Sequence, residues 1–526
     1  MDNNFNNIPA EKFQFATRND LYHDSKFETK PVSYFQGAFQ RFCKNKGAVV
    51  AAVVISILVL FAIIAPFFTP FQPVYYDMVY AHVTPKSHLF ADSGLDFWDG
   101  CRQKDTNYVG YLKDYALASE TGREIIKNGE YTVSEDGTTY SYRYDTYYGV
   151  GFGKYKIISV EEYNDIQRYQ NETGKQVLYP IVKPADRPTL EKNKYDANIY
   201  YEVENPKASI LRPKLDKEGN IIANYWKYEV GAENSLIPEY NSLRIEGEEG
   251  VTEKGKQYHY AYGRKVDGGI EVRTEYYEYY IYQHNEVRKD GITEPLFLFG
   301  TTQTGKDIFA CLAYGARFSF IFASVVAIAN FIVGVIWGSI SGYFGGKIDL
   351  FMERFAEILG AVPTIIVITL LKYHMGTSSQ VLVLFIAFFA TGWIGMAGRT
   401  RMQFYRFKNQ EYVVAARTLG ARDLRIMFKH IFPNGLGTIV TSFALVIPSM
   451  IYSETSFTYL GIINLEAGNT TSVGTLIAAG QKSIMANAGY VAVFPCVFLV
   501  LLMLSFNLFG NGLRDAFNPS LRGTED

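Results

Sequence analysis

The stretch whose residue types and spacing most suggest a task is EYVVAARTLGARDLRIMFKHIFPN, from Glu411 to Asn434 of a 526-residue chain. Tyr412, Ala415, Ala416 and Leu419 fall at i, i+3, i+4 and i+7, one face of a helix. Gly420 stands where such a helix stops, since glycine adopts the left-handed conformation that closes a C-terminus. Asp423 opens a second helix, with its charge at the positive end of the helix dipole. Leu424, Met427, Phe428 and Ile431 make a second apolar stripe, and Pro433 with Asn434 is expected to end it. The chemistry this implies is recognition. A face built from alanines adds little to membrane insertion but suits close docking against another protein. The competing reading lays the basic helix pair on lipid headgroups.

Catalytic patterns are absent by comparison. GTTQTGKDIF, Gly300 to Phe309, contains a Gly-Lys pair but not the GxxxxGK[ST] phosphate loop, so the chain is not expected to hydrolyse ATP itself. Residues 299–315 are read instead as an amphipathic segment resting on the outer surface. Residues 74–298 hold no nucleophile elbow, HExxH pair or Cys–His constellation. Their many carboxylates leave a glycosidase-like pair open without singling one out. The four cysteines, Cys43, Cys101, Cys311 and Cys496, have no metal-ligand spacing, and only Cys101 and Cys311 could share an oxidising side. A net charge of −2 gives no support to nucleic-acid binding.

The elements that would position the Glu411–Asn434 stretch are membrane spans. Mean hydropathy near zero, −0.04, averages very apolar and very polar regions. GAVVAAVVISILVLFAIIAPFF, Gly47 to Phe68, is long enough to cross a bilayer. It is too long for a signal-peptide core, and residues 1–46 precede it without a small-residue cleavage site. Five more apolar stretches run near Ala316–Ile340, Ala356–Tyr373, Val381–Ala397, Leu436–Leu460 and Gly489–Gly510. Six spans put both termini on one side. Arg41, Lys44 and Lys46 precede the first span. Arg399, Arg401, Arg406, Lys408, Arg417, Arg422, Arg425 and Lys429 lie between the fourth and fifth, against only Lys372 and Lys482 on the opposite side. Basic residues accumulate in the cytoplasm, so both termini are expected there and residues 74–298 outside.

Within the spans, Gly334, Gly338 and Gly342 repeat every four residues, a spacing that lets another helix approach closely, within the chain or from a partner. Pro363 is expected to kink the third span. Glu454 is the acid clearly inside a span, and it either braces or lines a pathway or makes an interhelical hydrogen bond. Asn330 and the Lys372–His374 cluster are further pathway candidates.

Residues 74–298 contain 30 of the 40 tyrosines and 37 acidic against 28 basic residues. YTVSEDGTTYSYRYDTYYGVGFGKYKIISV alternates polar with aromatic or β-branched residues about a DG turn, the pattern of β-hairpins. KQYHYAYGRKVDGGIEVRTEYYEYYIYQ repeats it at DGG. A β-rich insert is therefore expected, its tyrosines serving either a contact face or a core of cross-strand pairs.

The Glu411–Asn434 stretch resembles the coupling loop of ABC-importer permeases, in which Glu-Ala-Ala is followed by Gly and then Ile-x-Leu-Pro. Ala415, Ala416, Gly420, Ile431 and Pro433 match. Val414 stands where the motif has its glutamate and Phe432 where it has leucine; Glu411 lies just under a turn earlier. RFCKNKGAVV leading into APFFTPFQP, FGTTQTGKDIFACLAYGARFS, GYFGGKIDLFMERFAEILGAVPT, ETSFTYLGI and FNLFGNGLRDAFNP resemble the C-type membrane subunit of oligopeptide and dipeptide ABC importers. The insert of some 220 residues departs from that family's short outer segment. The resemblance implies a type I importer permease with six transmembrane helices and a core at 316–510, a coupling loop at 408–434 and a cytoplasmic tail at 511–526. It further implies a second homologous permease, two ABC ATPases carrying ATP and Mg, and an extracellular substrate-binding lipoprotein. This chain would bind no cofactor, sit in a bacterial plasma membrane and pass oligopeptides. A dipeptide, nickel chelate, glutathione or sugar oligomer is the alternative cargo. A membrane-anchored enzyme or sensor acting through the ectodomain is the reading from another class.

Overall fold

A computed structural model describes residues 34–91, 98–150, 154–184, 202, 204–205, 214–217, 222–229, 236–238, 251–253, 255–376, 380–468 and 470–517. An amphipathic helix α1 (Tyr34–Lys44) leads into α2 (Lys46–Phe68), whose Asn45 cap accepts from the Ala48 amide at 3.2 Å. α2 buries its small residues, Ala48, Ala51, Ala62 and Ala65, and exposes Val50, Val53, Ile57 and Leu60. Small inward and large apolar outward is the arrangement of a helix facing lipid, where close backbone packing replaces the hydrophobic drive.

The insert follows. Its first sheet joins β1 (Cys101–Thr106), β2 (Ile126–Val133) and β3 (Tyr140–Asp145) in the order β1–β3–β2, all antiparallel, with α3 (Tyr108–Thr121) between β1 and β2 in the chain. β2 and β3 form the hairpin expected at the DG turn, with Val133 opposite Tyr140 and Gly137 at φ +70°. β4 (Lys154–Ile158) enters a second sheet after which comes α4 (Val160–Thr173). β5 (Lys256–Val266) and β6 (Gly269–Thr274) make the second expected hairpin, closing at Asp267-Gly268 with Val266 opposite Gly269. β6 also pairs with β4, and short strands at Leu178–Tyr179, Lys227–Glu229, Leu236–Pro238 and Val251–Glu253 extend the sheet.

Helices accompany the strands of this β-rich insert, one of them inside the second hairpin stretch. Val160–Thr173 is a helix capped by Ser159, which accepts from the Glu162 amide. EYYEYYIYQ is not a strand: α5 (Tyr276–Tyr282) begins where Glu275 accepts from the amides of Tyr277 and Glu278. Among the described residues many of the tyrosines fill the core. Tyr80, Tyr147, Tyr163, Tyr276, Tyr280 and Tyr282 are buried with Phe71 and Phe297 in one cluster. Cys101 and Cys311 are both free thiols, so the open possibility of a bridge is not realised.

The insert leaves and rejoins the helices at one neck. The amide of His82 donates to the Thr302 carbonyl (3.1 Å), that of Thr301 to Val83 (2.9 Å) and that of Lys86 to Phe297 (3.1 Å). The 299–315 segment, expected as an outer amphipathic element, supplies one side of this neck. Thr301, Thr302 and Asp307 are buried, and Asp307 caps α6 (Ile308–Phe344) by accepting from Phe309 and Ala310. At 37 residues this helix starts eight residues earlier than its apolar stretch suggests.

The third apolar stretch is two helices, α7 (Gly346–Gly360) and α8 (Thr364–Met375), meeting at 68°. Pro363 sits at the break with ψ 130°, rather than inside a kinked helix. It has no amide to donate and steers the residue before it away from helical backbone. α9 (Gln380–Phe407) follows, then α10 (Glu411–Thr418) and α11 (Asp423–Arg425). α11 continues through a π-helical turn, Ile426–Ile431, into α12 (Phe432–Ala444) and α13 (Val446–Tyr459). α14 (Val473–Ser483) and α15 (Tyr490–Phe517) complete the described helices. Among the described residues five helices are long and apolar enough to span a membrane, or six if the bent α7–α8 pair counts as one.

Candidate coupling site

Why α10 stops where it does is local. Gly420 takes φ +80°, its amide donates to Arg417, and the Ala421 amide reaches back to Ala416 at 3.1 Å. This doubly bonded closure satisfies the last carbonyls and fixes the angle at which the chain turns into α11. Val413, fully buried, packs with Ile426, Met427 and Ile431 against Tyr343 at the end of α6 and Phe404 of α9. The Tyr343 hydroxyl donates to Asp423 at 2.6 Å, and Lys408 donates to the Gly342 carbonyl at 3.1 Å. Asp423 thus serves less as a helix cap than as a tether to α6.

The opposite side of this unit is bare. Tyr412, Ala415 and Leu419 are exposed, Leu419 to 88%, and Ala416 is half-buried. Glu411 and Val414 are exposed too, and Glu411 makes no ion pair among the described residues. The second stripe divides: Met427 and Ile431 are buried, whereas Leu424 and Phe428, one helical step around, are exposed. Pro433 does not end the second helix. It enters the first turn of α12 directly after the π turn, in which the Phe432 amide donates to Met427. A proline at that position needs no amide acceptor, and the wider turn before it relieves the clash a regular helix would impose.

A second anchor was not foreseen. Arg401 of α9 grips Asp349 of α7 with two bonds of 2.6 Å and reaches Glu353 at 2.8 Å, while Tyr405 and Ser341 donate to the same Asp349. Bidentate pairs of this kind fix orientation as well as proximity. Asp349 and Arg401 were legible only as isolated charges beside apolar runs. Nothing in their spacing, 52 residues apart, pairs them.

Of the span residues, the three glycines meet α9 of the same chain. A side chain on Gly334 would strike Trp393 and Met396, on Gly338 the Ala397 carbonyl, and on Gly342 Phe404 and Arg401. Asn330 belongs to this seam, donating to the Phe388 carbonyl at 3.3 Å beside Gly392. Glu454 is wholly buried, accepting from Ser319 of α6 (2.9 Å) and Thr458 (2.8 Å) rather than from Tyr452 or Ser456. Lys372 donates to the Ile462 carbonyl at 2.6 Å. These residues join helices within the chain, away from the exposed coupling face.

Residues 334–523 match the family described as the binding-protein-dependent transport system inner membrane component, and residues 33–85 match the N-terminal transmembrane domain of oligopeptide transport permease C. The oligopeptide transport system permease protein OppC of Bacillus subtilis is 41% identical over 224 residues, 43% of this chain and 72% of the relative. The chain belongs to this permease family. The permease is also 38% identical to the dipeptide transport system permease protein DppC of B. subtilis over 43% of this chain and 69% of that one. OppC of Escherichia coli K12 is 36% identical, over 43% and 72%. The permease is accordingly a multi-pass membrane component of a transporter and not an enzyme.

Proposed function

We propose that this permease forms half of the translocation path of an ATP-driven importer of oligopeptides, its α10–α11 unit seated in a cytoplasmic ATPase. The observation that carries the reading is the bare Tyr412–Ala415–Leu419 face on a unit whose other face is locked to α6 and α9. Small residues let a partner approach closely, and the exposed Leu419 supplies the apolar anchor. Positive-inside bias puts this unit and both termini in the cytoplasm and the insert outside. ATP and Mg belong to two partner ATPases, the other half of the path to a second homologous permease, and cargo delivery to an external binding lipoprotein. Closure of the ATPases would push the unit as one body. Asp423–Tyr343 and Lys408–Gly342 would pass that motion to α6, and Phe404 to α9. Rigid transmission between bistable bundles is how such an element acts. With Val414 in place of a glutamate, docking rests on shape, and Glu411 is the acid available for an ion pair. The 38% identity to a dipeptide permease favours dipeptides as the second cargo reading.

The test is a mild-detergent pull-down of the chain with mass spectrometry, followed by Ala416→Arg and Gly420→Pro. Two ATPases, a second permease and a lipoprotein are expected, with transport-coupled ATP hydrolysis lost in both variants. Hydrolysis unchanged in both, or a chain that comes down alone, sinks the coupling reading.

A further inference from the structure

A cavity of about 310 Å³ and one of about 470 Å³ flank Lys306 and Glu466 near the neck, but these two residues already pair with each other at 3.5 Å. A third cavity, of about 290 Å³, is different. It lies between α9, α12 and α15 at the end of the bundle that carries the coupling unit, and three arginines line it: Arg399, Arg406 and Arg514. Arg399 and Arg406 are seven residues apart on one face of α9, about 10 Å along its axis, and Arg514 comes from the last turn of α15. Thr438, Thr441 and Ser442 of α12 add hydroxyls to the wall. Thr441 spends its proton on the Gly437 carbonyl, so Thr438 and Ser442 are the hydroxyls placed to donate.

None of the three arginines has a carboxylate within 4.0 Å among the described residues, whereas Arg401, two positions from Arg399, is held by Asp349 and Glu353. All three are exposed at the cavity rim, so water screens their mutual repulsion, and an anion seated among them would cancel what remains. Guanidinium forks with hydroxyls beside them match the oxygens of a phosphate group. We propose that Arg399, Arg406 and Arg514 bind a phosphate-bearing anion at this end of the permease. The source is either the headgroup of an anionic phospholipid, entering sideways from the bilayer, or a soluble phosphate compound.

The experiment uses the assembled transporter in nanodiscs. Phosphatidylglycerol retained after delipidation is counted by native mass spectrometry from mixed phosphatidylcholine–phosphatidylglycerol discs. Inorganic phosphate is titrated against melting temperature in pure phosphatidylcholine discs. The variants are R399Q/R406Q/R514Q, its lysine counterpart, and R514Q alone in case the triple glutamine chain fails to assemble. Each arginine lost should weaken retention roughly fivefold, and lysine should restore most of it. Retention lost in the glutamine variants without any phosphate response assigns the lipid headgroup. A phosphate-induced shift that the glutamine variants lose assigns the soluble source. Equal retention and equal phosphate response in the native protein and every glutamine variant overturn the proposal.

Discussion

The insert and the helical bundle solve the packing problem with opposite residues. In the insert the largest polar aromatics go inside: Tyr80 and Tyr147 pack on Phe297, Tyr276 and Tyr280 pack on Tyr80, and the Tyr147 hydroxyl donates to the Thr84 carbonyl at 3.0 Å. In the bundle the smallest residues do the work, with Gly334, Gly338 and Gly342 bringing α6 against α9 so closely that no side chain fits between. In water, burying a ring is itself favourable, so bulk pays. In lipid no such gain exists between helices, and contact must come from backbones approaching each other.

The largest effect that could break this comparison is Gly338→Leu. It drives a side chain into the Ala397 carbonyl, and overpacking a seam bounded by backbone should destabilise by at least about 3 kcal/mol. Loss of the monodisperse peak on size exclusion is the expected readout. Gly395→Leu, on α9 with open space around its Cα, should leave the peak intact. If both variants behave alike, the seam is not held by closeness. Next comes Tyr80→Ala, which should destabilise the insert by about 3–5 kcal/mol, as for other large buried aromatics. Tyr80→Phe should be nearly neutral, since its buried hydroxyl has no hydrogen-bond partner among the described residues. Limited proteolysis of the insert separates the two. A Phe variant as sensitive as the Ala variant would show that hydroxyls, not rings, hold that core.

A pH-dependent effect sits where the two regions meet. Burial pushes the Asp307 carboxyl up to about 7, against the pull of the Phe309 and Ala310 amides. Between about pH 4 and pH 7 the folded chain therefore holds a proton that the unfolded chain has released. The stability this proton contributes is complete below about pH 4 and is lost as pH rises through 7. Asp307→Asn keeps an acceptor for the cap and removes the titration. Its melting temperature should be flatter than the native protein's across that window and higher above pH 7. An unchanged slope would place the pH dependence elsewhere.

What could be read in advance follows the same division. The spans were legible because twenty apolar residues have few other uses, and Gly420 because a left-handed stop is nearly its signature. Both hairpins were legible from Asp-Gly pairs. EYYEYYIYQ was not, since tyrosine favours strands and only the capping carboxylate of Glu275 and burial on the insert core make it helical. Ser159 and Glu162 did carry a capping signal, three residues apart, which the surrounding β-like alternation obscured. At the coupling site the exposed face could be read from periodicity. Its anchors could not, because Val413, Tyr343 and Phe404 meet only after three helices pack.

The neck has one more implication. His82–Lys86 and Phe297–Thr302 run alongside each other, and the match to the permease C N-terminal domain stops at residue 85, beside the Lys86–Phe297 bond. The chain therefore departs and returns through a single doorway, anchored from outside by Tyr490 on the Val83 carbonyl and His82 on Ser483. A detour with adjoining ends is topologically free: it can lengthen, shrink or be exchanged while the helices below keep their register. A permease with residues 87–296 replaced by a tight turn should still have a doorway that closes, but Phe71, Tyr80 and Phe297, which share the insert's core, would be laid bare.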